Sequence, residues 1–461
     1  MPAPTLPAQW QAPVAAAGLP HRGQLPELAR WWEQLGDPVL VALIQAAQEL
    51  SPSVASARSR LEQARAVRVS AGADTLPRLD ANASISRSLA QQPGMPGPAP
   101  TVSSAQAGLQ ASWEIDLFGS KRAGQSAASE RLAGAQAQWH EARVSVAAEL
   151  ANHYIAWRSC RQLEDLALAE ALSRQQTARL SDLSAQAGFT APALAVLARA
   201  GAAEAGGRAS QQRGQCELEL KALVALTGLA EPALRAQLQA RSPAGDAILS
   251  PAALRLDSVP AQALAQRPDV FAAEREVAAA SADVGAAEAQ RYPRLSLTGA
   301  IGRSGLSLNG DNSELSTWSV GPVALSLPIF DAGRSAANVQ AAKARYEEAA
   351  ALYRARVRLA VREVEEALVN LQATADRSRE AQSALAAYRA ALAGADARHR
   401  AGLASGLELE DARRQQLAAQ SLDAGLQRER LAAWVSLYRA MGGGWTRSLP
   451  DREAAPTALA R

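Results

Sequence analysis

Two stretches of this 461-residue chain, 120–186 and 335–400, contain no proline and read as unbroken helix. At 1.5 Å per residue each would run roughly 100 Å, longer than a single-domain globule is wide. Val357, Val361, Val364, Leu368 and Leu371 form a heptad-like stripe on the second run. The first run carries two neighbouring stripes, Val144, Ala148, Ala151, Ile155 and Ala147, Leu150, Tyr154, Trp157. A helix with two adjacent apolar stripes packs on two neighbours, as a stave does in a wall, whereas a simple coiled coil needs one. Alanine is abundant and aromatics are only 4 %, which favours close helix packing on small side chains over a thick core.

The chain also repeats itself. AGFTAPALAVLAR from Ala187 to Arg199 returns as AGLASGLELEDAR from Ala401 to Arg413. Pro77-Arg78-Leu79 returns as Pro293-Arg294-Leu295, Phe118 and Arg122 as Phe330 and Arg334, and Gly228 as Gly442. Two copies of a long unit make a pseudo-twofold protein and not a solenoid. Each half reads as helix, two strands, long helix, turn, helix. The expected division is an N-terminal segment 1–38, a first repeat 39–228, a linker 229–258, a second repeat 259–442 and a tail 443–461.

The strand segments alternate in polarity. Leu79, Ala81, Ala83 and Ile85 oppose Asp80, Asn82, Ser84 and Ser86. Ala105, Ala107, Leu109, Ala111, Trp113 and Ile115 oppose Gln106, Gln110, Ser112, Glu114 and Asp116. Leu295, Leu297 and Ile301 alternate with Ser296 and Thr298, and a fourth strand is expected from Trp318 to Leu327 with a bulge at Gly321-Pro322. Loops are expected over 91–100 and 305–316, both rich in turn formers. One apolar and one polar face suit a membrane barrel with lipid outside and water inside. Four strands cannot close a barrel, which needs about eight or more. An open edge in lipid leaves backbone groups unpaired at several kcal/mol each. Other copies of the chain must supply the missing strands.

Several functions are excluded. The formal charge is +3, from 48 basic and 45 acidic residues spread along the chain, with no basic stripe to bind nucleic acid. No apolar run of about 18 residues is present, so no transmembrane helix is expected. The opening MPAPTLPAQW has neither the basic nor the hydrophobic part of a signal peptide. His21, His140, His153, His399, Cys160 and Cys216 match no zinc or haem spacing. No nucleophile–base set or phosphate loop is evident, and Gly442-Gly443-Gly444 follows a helix where a phosphate loop would precede one. The expectation is a protein without catalytic residues, cofactor or metal.

Five segments carry a resemblance: WWEQLGDPVL (31–40), WEIDLFG (113–119), RPDVFAAE (267–274), LPIFDAGR (327–334) and LYRAMGGGW (437–445). Together they make the chain resemble the TolC family of outer-membrane efflux proteins, in its OprM-like (NodT) lipoprotein branch. The resemblance implies a mainly α fold with a membrane β part: a homotrimer with a twelve-stranded β-barrel in outer-membrane lipid and a twelve-helix periplasmic tunnel. An equatorial belt would come from 1–38, 229–258 and 443–461. The implied partners are a periplasmic membrane-fusion adaptor and an inner-membrane RND transporter. The implied function is passive exit of drugs or other small toxic compounds. Protein secretion of type I and metal export are the alternatives within a duct, and a soluble coiled-coil scaffold is the alternative outside it. Scarce His and Met argue against a metal relay.

By motif position the resemblance places a gate at the helix tips. Glu408 and Asp411, with Glu410 adjacent, would form acidic rings around the threefold axis. Arg400, Arg413 and Arg414 would tie the hairpins shut by ion pairs. Leu194 stands where the first hairpin often carries an acid, which implies a partly hydrophobic gate. Such carboxylates also suit a solvated helix start. Branch members begin with an acylated cysteine, and the Pro-Ala-Pro-Thr-Leu-Pro opening resembles the segment after it, so Met1 is expected to replace a lipid anchor of a longer precursor. Cys160 and Cys216 are equally distant from Gly188, at the same height of one hairpin. Two readings stay open: a disulfide, if their Cα atoms lie within about 7 Å, and two buried free thiols on different faces, towards which the sequence leans.

Overall fold

The computed structural model describes residues 32, 37–89, 101–239, 267–308 and 311–445. Its elements in order are α1 (Pro38–Leu50), α2 (Pro52–Ala73), β1 (Arg78–Leu89), β2 (Thr101–Ile115), α3 (Ser120–Gln186), α4 (Pro192–Thr227), α5 (Glu231–Gln239), α6 (Pro268–Ala289), β3 (Arg294–Leu308), β4 (Asp311–Ser326), α7 (Arg334–Arg400) and α8 (Gly406–Ala440). The internal repeat is visible in the lengths. α2 and α6 each have 22 residues, α3 and α7 each have 67, and α4 and α8 have 36 and 35.

Local chemistry explains the punctuation. Proline opens α1, α2, α4 and α6, where its missing N–H costs nothing and its fixed φ suits the first turn. Glycine in the left-handed region follows the ends of α3, α4, α7 and α8, at Gly188, Gly228, Gly402 and Gly442. At Gly228 and Gly443 the lack of a side chain also matters for packing. A Cβ there would lie 2.4 Å from Leu50 Cδ2 and from Val144 Cγ2 respectively. The glycine triplet after α8 is therefore a helix stop.

The chain divides into two compact units. One comprises 1–58, 137–271 and 355–461, the other 59–136 and 272–354. In the first, α1 packs on α4 and α4 on α5, with Leu43, Leu220, Leu223 and Leu234 fully buried. Farther along α3 and α4 the packing is between alanines, Ala171 against Ala205 and Ala209. Both expected stripes of α3 are covered: Ala148, Ala151, Ile155, Ala147, Leu150 and Tyr154 are buried, with Val144 and Trp157 half-buried. On α7, Val357, Val364, Leu368 and Leu371 are buried. Of the expected belt, α5 and the residues beside α1 and α8 are described; most of 1–38, 240–258 and 446–461 lies outside the described residues.

The second unit holds the sheet. Its order is β1-β2-β3-β4, all antiparallel. β2 of the first repeat pairs with β3 of the second, from Val102↔Leu308 to Ile115↔Leu295. Residues on one face run Ala81, Leu109, Ile301, Trp318 across the four strands, and on the other Asp80, Gln110, Ala300, Ser319. Neither face is covered by protein among the described residues. Ile85 is 87 % exposed and Trp318 77 %. A water-soluble sheet must bury its apolar face on another layer; this one has apolar side chains bare along strands of 12 to 16 residues.

The expected bulge is present: Leu297 pairs with Val323 and Gly299 with Val320, so Gly321 and Pro322 oppose Thr298 alone. The expected loop over 305–316 is corrected. β3 continues to Leu308 and β4 begins at Asp311, with Ser304↔Leu315 and Leu306↔Ser313 in register. The turn formers Gly305, Ser307, Asn312 and Ser313 that suggested a loop are strand residues. The loop expected over 91–100 lies outside the described residues.

Candidate functional site

The two hairpin turns are built alike. After α3, Gly188 N–H donates to Ala185 O at 3.1 Å and Phe189 N–H to Ser184 O at 2.9 Å. After α7, Gly402 N–H donates to His399 O at 3.0 Å and Leu403 N–H to Arg398 O at 2.8 Å. Both satisfy the last helical carbonyls through a left-handed glycine. Beyond the turn the copies diverge. α4 starts without a side-chain cap, and its first turns expose Leu194, Val196 and Leu197. α8 starts at a serine N-cap, with Ser405 Oγ accepting from Glu408 N–H at 3.2 Å. Glu408 also pairs with Arg398 across the turn.

The remaining expected gate residues separate into two groups. Asp411 is exposed, bonded to Arg414 Nη2 at 2.9 Å and to Gln415 Nε2 at 3.0 Å. Glu410 is buried and turned towards α3: Ser173 Oγ donates to its Oε2 at 2.5 Å, and Arg413 Nη1 to its Oε1 at 2.7 Å. Arg414 Nη1 donates to Thr177 Oγ1 at 2.8 Å. Arg400 pairs with Asp396 on its own helix. Among the described residues, then, the three arginines form ion pairs along their own helices. The link from the second hairpin to the first runs through the hydroxyls of Ser173 and Thr177. At Gly406 the helices approach closely; a Cβ would lie 3.0 Å from Leu180 Cδ1.

Higher in the first hairpin, Cys160 and Cys216 are bonded, with Cα atoms 5.5 Å apart. This corrects the reading of two free thiols. Among the described residues no group of His, Cys, Asp or Glu is arranged to hold a metal ion.

The sequence did not reveal a buried charge network at the start of the second repeat. Arg267 donates to both oxygens of Asp269 at 2.9 and 2.8 Å, to Glu363 Oε2 at 2.7 Å, and to the carbonyl of Ala440 at 2.9 Å. One guanidinium therefore joins the N-terminus of α6, the side of α7 and the C-terminus of α8. Burial alone would push the Asp269 carboxyl up, but the Arg267 hydrogen bonds outweigh it and hold it below the usual range. Beside the pair is a polar cavity of about 60 Å³ lined by Glu141, Ser145, Arg356 and Arg439. Burial and the Asp269 charge push the Glu141 carboxyl up, against the pull of Arg356, Arg267 and Arg439. In the first repeat Ser51 and Ser53 take the places of Arg267 and Asp269, and their hydroxyls bond at 2.9 Å.

Among the described residues, a sheet with bare faces, apolar on one side and polar on the other, and two repeats that each carry a long helical hairpin of nearly the same length are the features expected of a membrane duct. A family model described as "Outer membrane efflux protein" matches residues 43–229 and again 259–443. The solvent efflux pump outer membrane protein SrpC of Pseudomonas putida is 31 % identical over 451 residues, spanning 96 % of this chain and 94 % of that protein. Outer membrane protein OprJ of Pseudomonas aeruginosa is 33 % identical over 454 residues, spanning 94 % and 91 %. The solved structure of the outer-membrane channel OprN superposes with a TM-score of 0.80 at 30 % identity, over 96 % of this chain and 99 % of that one. The chain belongs to the outer membrane efflux protein family. It has the TolC-like fold and is an outer-membrane efflux duct.

Proposed function

We propose that three copies of this chain form the exit duct of a tripartite pump, joined through a periplasmic adaptor to an RND-type inner-membrane transporter that supplies the energy. The sheet supports this reading: among the described residues its four long strands have bare faces and edges at β1 and β4 without a partner strand, as a third of a closed membrane barrel would. The duct itself is passive and performs no chemistry. Its periplasmic end is gated at the hairpin tips, where Glu408 and Asp411 are exposed acids on one hairpin and Leu194 an exposed apolar residue on the other.

The cargo is small organic compounds. Similar proteins bear names of solvent, toluene and pyoverdine efflux or export. One similar protein is the cation efflux protein CusC, 28 % identical, so metal export is the second reading. Three methionines and four histidines in 461 residues are few for a relay of soft ligands along a lumen. Deleting the gene and challenging the strain with antibiotics, detergents, dyes and metal salts separates the two. The expected result is sensitisation to organic compounds, restored by the intact gene, with metal tolerance unchanged. Sensitisation to metals alone would reverse the assignment.

A further inference from the structure

The apolar face of the sheet carries a basic residue in each repeat, at the same place. Counted from Pro77-Arg78-Leu79 and Pro293-Arg294-Leu295, both repeats reach the same Ile-x-Arg-Ser: Ile85-Ser86-Arg87-Ser88 and Ile301-Gly302-Arg303-Ser304. The strand register puts both arginines on the apolar face, Arg303 in the row of Ala83 and Ala107, Arg87 in the row of Ser103 and Ser307. Both are exposed. Arg303 Nε donates to the hydroxyl of Ser316 at 3.3 Å, and among the described residues no carboxylate pairs with either arginine. We propose that each arginine holds the phosphate group of an anionic lipid of the outer leaflet, whose acyl carbons lie on the apolar row beneath it. The proposal rests on the chain's being an outer-membrane duct, in which the helices join one end of the strands and the hairpin ends face outward.

Depth supports this. Each arginine stands nine positions from the first residue of its strand, Arg78 or Arg294. At about 3.3 Å per residue and a tilt of about 40° that is roughly 23 Å, the upper edge of an apolar band about 25 Å tall. An outward arginine is costly at mid-membrane and nearly free at this edge, where lipid phosphates lie. Two positions nearer the helices stand Ile85 and Ile301, both exposed, and Trp318 shares the row of Ile301, as an aromatic girdle residue would. A guanidinium takes a phosphate through two parallel hydrogen bonds, which suits this ligand better than a point charge would. Beside Arg303 is a groove of about 660 Å³ lined also by Ala83, Ile85, Ala105, Ala107 and Gly305. These small side chains leave room for an acyl chain against the strands. Glu314 lines the same groove, so its net charge is nil and a free anion gains little there. A lipid gains the phosphate contact and the groove together.

Native mass spectrometry of the full-length protein in detergent micelles tests this, with diphosphoryl lipid A, phosphatidylcholine or inorganic phosphate added. The expected result is two lipid A molecules retained per chain in the parent and one in Arg87→Gln or Arg303→Gln. The double variant should retain none above the phosphatidylcholine level. Each lost guanidinium should weaken its site about tenfold or more, the usual worth of a hydrogen bond to a charged group. Arg78→Gln, on the polar face, should retain both lipids, and excess inorganic phosphate should displace neither. Lipid A retention unchanged in the double variant, or lost equally in Arg78→Gln, overturns the site while the duct reading stands. Displacement by inorganic phosphate overturns the assignment to lipid. The single variants suffice if the double variant fails to fold, as read by helical circular dichroism. A parent chain that stays folded and monodisperse without detergent and retains no lipid overturns the duct reading as well.

Discussion

Replacing Arg267 with alanine is expected to destabilise the folded chain by about 3–5 kcal/mol, the usual cost of leaving one member of a buried ion pair without its partner. Arg267 and Asp269 side chains are each only 6 % exposed, so water cannot take over the abandoned carboxylate. The same substitution leaves Ala440 O without its donor at the end of α8 and releases Glu363 on α7. Arg356, 4.0 Å from Asp269, is too far and too exposed to replace the bidentate pair. Thermal unfolding followed by helical circular dichroism in micelles reads the loss. The pH dependence has a definite sign. With Arg267 present the Asp269 carboxyl is held below its ordinary value. Its contribution is therefore complete above the unfolded value of about 3.9 and disappears as pH falls through the lower folded value. Without Arg267 burial dominates and the carboxyl rises. The gap between variant and parent should thus be full where both carboxylates are charged, begin to narrow above about pH 4 as the variant's raised carboxyl takes up its proton, and go on narrowing down to the parent's lower value. A gap that stays constant down to acid pH would contradict this account. Exchanging both residues, Arg267→Met with Asp269→Leu, should recover much of the loss, because no charge is left buried.

Removing the Cys160–Cys216 bridge should cost about 2–4 kcal/mol, by serine at both positions or by reduction. The cysteines are 56 residues apart, joining α3 to α4 across a hairpin whose local core is alanine. Burying alanine frees little apolar area, so this hairpin depends more than usual on a covalent constraint. The loss should appear at the first hairpin and leave the second, which has no bridge, at its parent stability. Hydrogen exchange resolved along α3, α4, α7 and α8 checks this; equal loss of protection in both hairpins would contradict it. Protection of the first hairpin unchanged by reduction would show that the bridge does no stabilising.

Much of the fold was legible because its signals are local. The absence of proline over 120–186 and its return at Pro192, with Gly188 between, defined α3 and α4 almost to the residue. Polarity alternation marked β1, β2 and the lower half of β3 for the same reason, since facing alternates with every residue. The upper half of the second hairpin was missed. Gly305, Ser307 and Asn312 look like loop residues, yet they lie in register.

The site was less legible because its partners are distant. Glu410 and Arg414 each meet a hydroxyl 237 positions away, and Arg267 meets groups 96 and 173 positions on. Spacing along one helix carries no trace of such meetings. Equal distance from Gly188 gave the height of Cys160 and Cys216 but not the side of the helix each occupies. Position near a turn could mark Glu410 as acidic and nearby, but not as buried against α3.

The mass of the detergent-extracted particle tests the central claim most directly, that this sheet is completed by copies of the same chain. Native mass spectrometry should give three chains and no stable single one, with aggregation once detergent is withdrawn. A monodisperse single chain that stays folded in plain buffer would contradict it.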